Sequence, residues 1–113
     1  MRIAKRVLAW EHAPAASQID ITLLSPAAMR RLNRRATGRR GLTDVIAYAL
    51  PQPDGRLLGD VYICLTTADH EEFVRLAVHG TLHVLGYDHP EGIGRMRSAM
   101  WRRQERYVRR LTR

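Results

Sequence analysis

Three of the chain's five histidines lie within eleven residues, in the segment HGTLHVLGYDH at positions 79–89. His79 and His83 are four residues apart, so on a helix their rings leave the same face and can meet one ion. Gly86 is suited to end that helix and let the chain double back, which brings His89 to the same point. Histidine pairs at this spacing also occur on buried helix faces without a ligand, but the third histidine favours a metal site.

Three neutral imidazoles suit zinc, and they leave a fourth position for water, as in catalytic zinc sites. In zinc proteases with the sequence HExxH, the glutamate after the first histidine accepts a proton from the water on the metal. Gly80 takes that place here, so the shared spacing does not bring the protease mechanism with it. Zinc alone can lower the pKa of its water to about 7, which provides a nucleophile without an adjacent base.

The chain has 113 residues, 45% of them hydrophobic, which is enough for one buried core and too little for two. We therefore expect one domain over residues 1–113. A single cysteine, Cys64, cannot form an internal disulfide, which favours a reducing compartment. Since no apolar run reaches membrane-spanning length and no signal-peptide pattern is present, we expect a soluble, unexported protein in the cytoplasm.

The formal net charge is +8, and Lys5 is the only lysine, so arginine carries nearly all of the positive charge. A planar guanidinium pairs with phosphate oxygens two at a time, which favours a polyanionic partner. A genome rich in arginine codons would produce the same bias. Two clusters are nevertheless suited to form a phosphate-binding surface: Arg30, Arg31, Arg34, Arg35, Arg39 and Arg40, and Arg102, Arg103, Arg106, Arg109, Arg110 and Arg113.

Hydrophobic periodicity predicts three strands and two helices in the first two thirds of the chain. Apolar residues recur at helical spacing in residues 3–10, and residues 18–24 (QIDITLL) alternate as a half-buried strand. Ser25 and Pro26 are typical of a helix start, because the serine hydroxyl caps a backbone N–H and proline has none to satisfy. Residues 43–50 (TDVIAYAL) and 56–65 (RLLGDVYICL) predict a hairpin.

Two more helices are predicted beyond the hairpin. The first covers about residues 69–85, with Asp69 as its cap, Glu72 in the capping-box position and Gly86 after its end. The second covers about residues 94–111, with Met96 and Met100 in the core. Because strands gather early and helices late, the expected fold class is α+β rather than a doubly wound sheet.

The segment HGTLHVLGYDH strongly resembles the signature H-G-x-L-H-L-x-G-Y-D-H of the YbeY family of ribosomal RNA maturation endoribonucleases. Residues 32–33 (LN) followed by 43–45 (TDV) are similar to the family's L-N…T-D-V-L-S-F-P, and residues 58–61 (LGDV) are similar to L-G-D-I. The resemblance covers most of residues 32–89. It implies a small mixed β-sheet with helices packed on it, and a metal site on a helix and the turn after it.

The resemblance implies that His79, His83 and His89 hold a zinc ion and that His79 takes part in catalysis. The protein would then be a single-strand-specific endoribonuclease in small-subunit rRNA 3′-end maturation and ribosome quality control. Its partner would be ribosomal RNA, without DNA or membrane. Zinc would activate water or polarise a phosphate while arginines bind the RNA backbone.

The chain departs from the family pattern at three places. The family usually has arginine four residues after the asparagine that matches Asn33, a position tied to its catalysis, whereas this chain has Thr37. Arg39 or Arg40 would have to reach the same phosphate and serve as the catalytic arginine. The S-F-P after T-D-V-L is replaced by AYA (47–49), and the stretch between LGD and His79 is several residues shorter than usual.

Three hypotheses remain open after these departures. The first is a zinc-dependent endoribonuclease. The second, favoured by Thr37, is a zinc-stabilised RNA-binding assembly factor with weak or no nuclease activity. The third is a metal-dependent hydrolase of another substrate, including a peptide, and Gly80 argues against the peptide version.

The remaining polar residues have two interpretations each. Asp60 either orients a histidine or ends a strand, and we favour the second. Asp88 either orients a ligand or caps the turn, and Asp44 either makes a turn contact or has a functional role. His12 and His70 fall outside the motif, so we expect them on the surface.

Overall fold

The computed structural model describes residues 2–67, 69–89, 94 and 98–113. In these ranges the elements are α1 (Arg2–Trp10), β1 (Gln18–Leu23), α2 (Pro26–Thr37), β2 (Val45–Pro51), β3 (Leu57–Ile63), α3 (His70–Val84) and α4 (Ala99–Thr112). The strand order is β1-β3-β2, with β1 parallel and β2 antiparallel to β3. The sheet is therefore mixed, helices pack on it, and the predicted α+β class and hairpin are confirmed.

The central strand β3 supplies the surface on which α3 lies. Its alternate residues Gly59, Val61 and Ile63 are buried on one face of the sheet. A Cβ atom added at Gly80 of α3 would lie 2.4 Å from Val61 Cγ1, and one added at Gly59 would lie 2.6 Å from Val84 Cγ1. Both separations are shorter than any normal carbon contact, so two glycines allow α3 to lie directly on β3.

Helix α2 begins as its sequence predicts, and a glycine follows its end. The Ser25 hydroxyl accepts a hydrogen bond from Ala28 N–H (3.2 Å), and Pro26 occupies the first turn. Gly38 follows the helix with φ +72° and donates its N–H to the Arg34 carbonyl (2.9 Å). The helix therefore stops before Arg39, which together with Arg40 belongs to the loop leading to β2.

The capping box predicted for α3 is not formed. Asp69 does cap the helix by accepting from Glu71 N–H, but the Glu72 carboxylate turns to the preceding loop. It accepts from the N–H and hydroxyl groups of Thr66 and Thr67 at 2.6–3.2 Å. These four donors, the Thr67 hydroxyl first, lower the pKa of Glu72 to about 2. The Asp69 N–H instead donates to the Thr67 hydroxyl (3.2 Å).

The start predicted for the last helix, near residue 94, is wrong. Ser98 has extended backbone angles, its hydroxyl accepts from Trp101 N–H (3.1 Å), and α4 begins at Ala99. Serine competes with the backbone for hydrogen bonds, so it caps this helix rather than continuing it. Met100 is buried as predicted, whereas Met96 lies outside the described residues. In the described part of the chain, no helix has the length and apolar character needed to cross a membrane.

Candidate metal centre and cleft

The three histidines of the signature meet at the C-terminal end of α3. Gly86, with φ +101°, turns the chain back. A hydrogen bond from Tyr87 N–H to the Leu82 carbonyl (3.0 Å) closes the turn. The His89 ring centroid consequently lies 5.1 Å from those of both His79 and His83. One candidate ligand atom from each ring lies within 4.8 Å of the other two, so the three histidines could hold a metal ion.

The hydrogen bonds of His79 determine which of its nitrogens carries the proton. The Nδ1 atom lies 2.7 Å from Oε1 of Gln104. The amide nitrogen of Gln104 donates to Glu105 Oε2 (3.0 Å), which leaves the amide oxygen facing His79. Because an amide oxygen can only accept, neutral His79 donates from Nδ1 and has its lone pair on Nε2.

A backbone carbonyl holds neutral His83 in the same tautomer, with the proton on Nδ1. Its Nδ1 lies 3.0 Å from the carbonyl oxygen of Tyr87, which also can only accept. The Nε2 atoms of His79 and His83 lie 3.0 Å apart, so two lone pairs face each other in the neutral rings. Such a pair is stabilised when a cation lies between the nitrogens.

The donor set fits zinc. Imidazole nitrogens about 2.0–2.1 Å from a tetrahedral ion lie about 3.4 Å from one another, which is close to the 3.0 Å between the Nε2 atoms of His79 and His83. Both of these ligands donate their other ring N–H to an acceptor, as metal-binding histidines normally do. Among the residues that the structure describes, the candidate ligands comprise no carboxylate and no thiolate, so these ligands would not neutralise the positive charge of a bound ion.

A buried carboxylate on the far side of the turn holds Tyr87 in place. The Glu11 side chain, only 6% exposed, accepts from the Tyr87 hydroxyl (2.5 Å), the Tyr107 hydroxyl and the Arg103 guanidinium (2.8 Å). Burial raises the pKa of Glu11, but the three donors outweigh burial and bring the pKa below its ordinary value. Tyr87 is therefore fixed at its hydroxyl by Glu11 and at its carbonyl by His83.

Replacing Glu11 with glutamine should lower the free energy of unfolding at pH 7 by about 1.5–3 kcal/mol, because hydrogen bonds to a charged group are lost. The lowered pKa makes this stabilisation fully present above the unfolded pKa of 4.5, and it is lost as the pH falls through the folded pKa. Urea unfolding of both proteins, with chelator present, should therefore show a stability difference that shrinks below pH 4.5. A difference independent of pH would contradict the prediction.

Gly80 does not face the metal centre. A side chain at this position would be directed at Val61 in the sheet, whereas His79 and His83 direct their Nε2 atoms at each other. The proton-accepting role of the protease glutamate thus has no counterpart at position 80.

A cleft of 640 Å³ joins His83 to the loop after α2. The two arginines proposed from the sequence, Arg39 and Arg40, line this cleft and are exposed. The remaining lining residues come from the end of α2, the loop after it and β2: Asn33, Thr37, Leu42, Thr43, Val45, Ile46, Ala47 and Ala49. The cleft therefore has cationic groups in its wall and is also lined by one of the three histidines that could hold a metal ion.

Thr37 organises the loop that carries these arginines. Its hydroxyl lies 2.8 Å from the backbone oxygen and 2.9 Å from the side-chain oxygen of Asn33, and accepts from Arg39 N–H (3.1 Å). Asn33 is buried, and its amide donates to the Gly41 carbonyl (3.3 Å). The residue at position 37 therefore shapes the backbone of the loop and contributes no cation to the cleft.

Other polar residues singled out in the sequence lie away from the three histidines or serve the backbone. Asp60 is the fourth of the seven residues of β3, so the prediction that it ends a strand is wrong. It alternates with Gly59 and Val61 and therefore points to the sheet face opposite α3. The Asp88 carboxylate accepts a hydrogen bond from His89 N–H (2.8 Å) and thus caps the turn. The backbone carbonyl of Asp44 accepts a hydrogen bond from Cys64 N–H (2.9 Å). As expected, His12 and His70 are exposed. Cys64 is buried.

The two arginine clusters differ in how their members are used. The arginines of α2 and its loop are exposed: Arg30, Arg31, Arg34, Arg35, Arg39 and Arg40. In the C-terminal cluster, Arg103 pairs with Glu11 and the Arg110 guanidinium lies 4.1 Å from the centre of the Trp10 ring. Part of the C-terminal charge therefore stabilises the fold, and the cluster beside the cleft is the better candidate for binding phosphate.

Gln104 and Glu11 were missed in the sequence analysis. Gln104 lies on α4 in line with the buried residues Met100, Tyr107 and Val108. A polar residue on an otherwise apolar helix face is expected to be buried and hydrogen-bonded to a partner, and this pattern could have identified Gln104. No comparable signal marks Glu11, because its partners are 76 to 96 residues away in the chain.

Comparison with protein-family models identifies the relatives of this fold and site. The chain matches the family model described as endoribonuclease YbeY over residues 1–112. The chain belongs to the endoribonuclease YbeY family. The match confirms the resemblance drawn from the signature at residues 79–89.

Curated relatives named endoribonuclease YbeY show how far the similarity extends. The Moorella thermoacetica protein is 34% identical over 82% of this chain, and the Desulfitobacterium hafniense protein is 37% identical over 81%. The protein of an Anaeromyxobacter species is 40% identical over 66% of this chain. This chain covers 73%, 69% and 45% of those three proteins, respectively.

A solved structure supports the fold. The solution structure of a Thermotoga maritima protein superposes with a TM-score of 0.56 at 24% sequence identity. The superposition covers 95% of this chain and 72% of the Thermotoga chain. The two chains thus share the arrangement of the sheet and helices.

Proposed function

We propose that the chain is a zinc-dependent endoribonuclease that cuts single-stranded RNA. The observation that carries the proposal is the meeting of His79, His83 and His89, of which His83 lines the same cleft as Arg39 and Arg40. The relatives named endoribonuclease support RNA as the substrate. We further propose that it acts on ribosomal RNA in small-subunit 3′-end maturation and ribosome quality control, in the cytoplasm.

In this proposal each group of residues has a separate task. His79, His83 and His89 would hold a zinc ion, which would supply a Lewis acid for water or a phosphate oxygen. Arg39 and Arg40 bind the phosphodiester backbone, since guanidinium groups match phosphate oxygens in shape and charge. Their position in the cleft wall supports their serving in place of the family arginine that Thr37 replaces.

Replacing both Arg39 and Arg40 with alanine should weaken binding of single-stranded RNA and reduce the slope of log affinity against log salt by about 1.4–2 units, because two phosphate contacts are lost. Cleavage should fall as well. Arg2→Ala with Lys5→Ala is the control, because it removes equal charge from exposed positions of α1, outside the cleft and outside both arginine clusters. An unchanged slope, or the same loss of cleavage in the control, would place the RNA elsewhere.

The second candidate function is a zinc-stabilised RNA-binding factor in ribosome assembly, with weak or no nuclease activity. The hydrogen bonds of Thr37 favour it, because position 37 holds the loop and brings no cation to the metal centre. This candidate predicts salt-dependent RNA binding without turnover. Binding and cleavage measured on the same single-stranded RNA, with the zinc-loaded protein in excess and then at catalytic amounts, distinguish the two functions.

A further inference from the structure

Gln104 connects α4 to the metal centre. It is 1% exposed, and its two polar atoms lie within 3.0 Å of His79 Nδ1 and Glu105 Oε2, respectively. Burying an amide is unfavourable unless both of its ends are hydrogen-bonded, and here both are.

The orientation of Gln104 is secured by an ion pair. Glu105 accepts from Arg75 at both carboxylate oxygens (2.9 Å each), and Arg75 also pairs with Glu71 (3.1 Å). Arg75 lies on α3, one turn before His79, so this network joins the two helices beside the site. Because Glu105 is ionised and can only accept from Gln104, the amide oxygen of Gln104 is directed at His79.

A competing arrangement of His79 would prevent metal binding. If its proton moved to Nε2, that N–H could be donated to Nε2 of His83, 3.0 Å away. His83 can accept there because its own proton is held on Nδ1 by the Tyr87 carbonyl. Such a hydrogen bond would occupy both of the nitrogens that an ion requires.

We propose that Gln104 is a positioning residue for the metal centre. By accepting from Nδ1 of His79, it keeps the proton off Nε2 and prevents the two histidines from bonding to each other in place of an ion. This role rests on metal binding by the histidines in the proposed function. Loss of such an outer hydrogen bond typically weakens metal binding about 10- to 100-fold.

The test compares variants that remove or keep the acceptor. Gln104→Met has similar size without the amide oxygen. Gln104→Glu keeps an oxygen facing His79, and it is combined with Glu105→Gln because two carboxylates would otherwise face each other where Gln104 now donates to Glu105 (3.0 Å). Met100→Leu is the packing control on the same buried face of α4. Zinc affinity is measured by competition with a chromophoric chelator. We expect a loss of about 10- to 100-fold in Gln104→Met and affinities near or above that of the wild type in the other two. Gln104→Leu replaces the methionine variant should the latter not fold.

The metal-free proteins give a second readout that does not depend on activity. Long-range ¹H–¹⁵N NMR spectra at a pH where the rings are neutral should show His79 protonated on Nδ1 in wild type and on Nε2 in Gln104→Met. A folded Gln104→Met protein with wild-type zinc affinity, an equal loss in Gln104→Glu combined with Glu105→Gln, or an unchanged His79 tautomer would overturn the inference. Failure of the wild type to bind zinc would instead overturn the proposed function, and the tautomer comparison would still test Gln104.

Discussion

Gly80→Glu is expected to unfold the domain rather than create a peptidase, although it restores the HExxH sequence of zinc proteases. The new Cβ would lie 2.4 Å from Val61 Cγ1, and the carboxylate would be directed into the sheet. Overpacking alone costs about 1–3 kcal/mol, and a buried unpaired charge adds several more. Because small domains are stable by about 5–15 kcal/mol, circular dichroism should show loss of the cooperative thermal transition.

Gly80→Ala isolates the steric part of this effect. We expect a net loss of stability smaller than the overpacking cost, because alanine has a helix propensity about 1 kcal/mol better than that of glycine. Val61→Ala removes the clashing methyl groups, so the double variant should be more stable than the two single effects added together. Additive effects, or a folded Gly80→Glu protein that cleaves peptides, would refute the packing explanation for the glycine.

His83→Ala is expected to abolish zinc binding and to loosen the turn after α3. The substitution removes one of three imidazoles and also the hydrogen bond between His83 Nδ1 and the Tyr87 carbonyl. Elemental analysis should show about one zinc per wild-type chain and almost none in the variant. Zinc should therefore raise the thermal midpoint of the wild type but not that of His83→Ala, since a ligand that binds the folded state at about 1,000 times its Kd adds about 4 kcal/mol.

His70→Ala provides the matched control, because His70 is an exposed histidine at the start of the same helix. Its zinc content and zinc-dependent stabilisation should equal those of the wild type. Unchanged zinc content in His83→Ala would contradict the three-histidine site.

Features determined by neighbours in the chain were predicted well from the sequence. The hairpin of β2 and β3, the Ser25 cap and the Gly86 turn each depend on a few adjacent residues, and the structure has them. The prediction of a capping box with Glu72 was wrong, because Thr66 and Thr67 fold back over the helix start and provide four competing donors. The parallel pairing of β1 with β3 joins segments about 40 residues apart, which local patterns do not determine.

In the candidate site, too, the features set by neighbouring residues were predicted and those set by distant residues were not. Its three histidines lie within one helix end and one turn, so their spacing predicted their convergence. The groups that orient two of them come from elsewhere: Gln104 from α4, and Glu11 through Tyr87 from the end of α1. Only the packing of α1 and α4 against α3 brings these groups to the histidines. The role of Gly80 likewise became evident when Val61 was found opposite it.

The most direct test of the account measures bound zinc and RNA cleavage together, in wild type and in His79→Ala purified identically. We predict about one zinc per wild-type chain, cleavage of single-stranded ribosomal RNA that stops when zinc is removed, and neither zinc nor cleavage in the variant. Stoichiometric zinc in the wild type with cleavage no greater than in His79→Ala would contradict the nuclease proposal and favour the zinc-stabilised assembly factor.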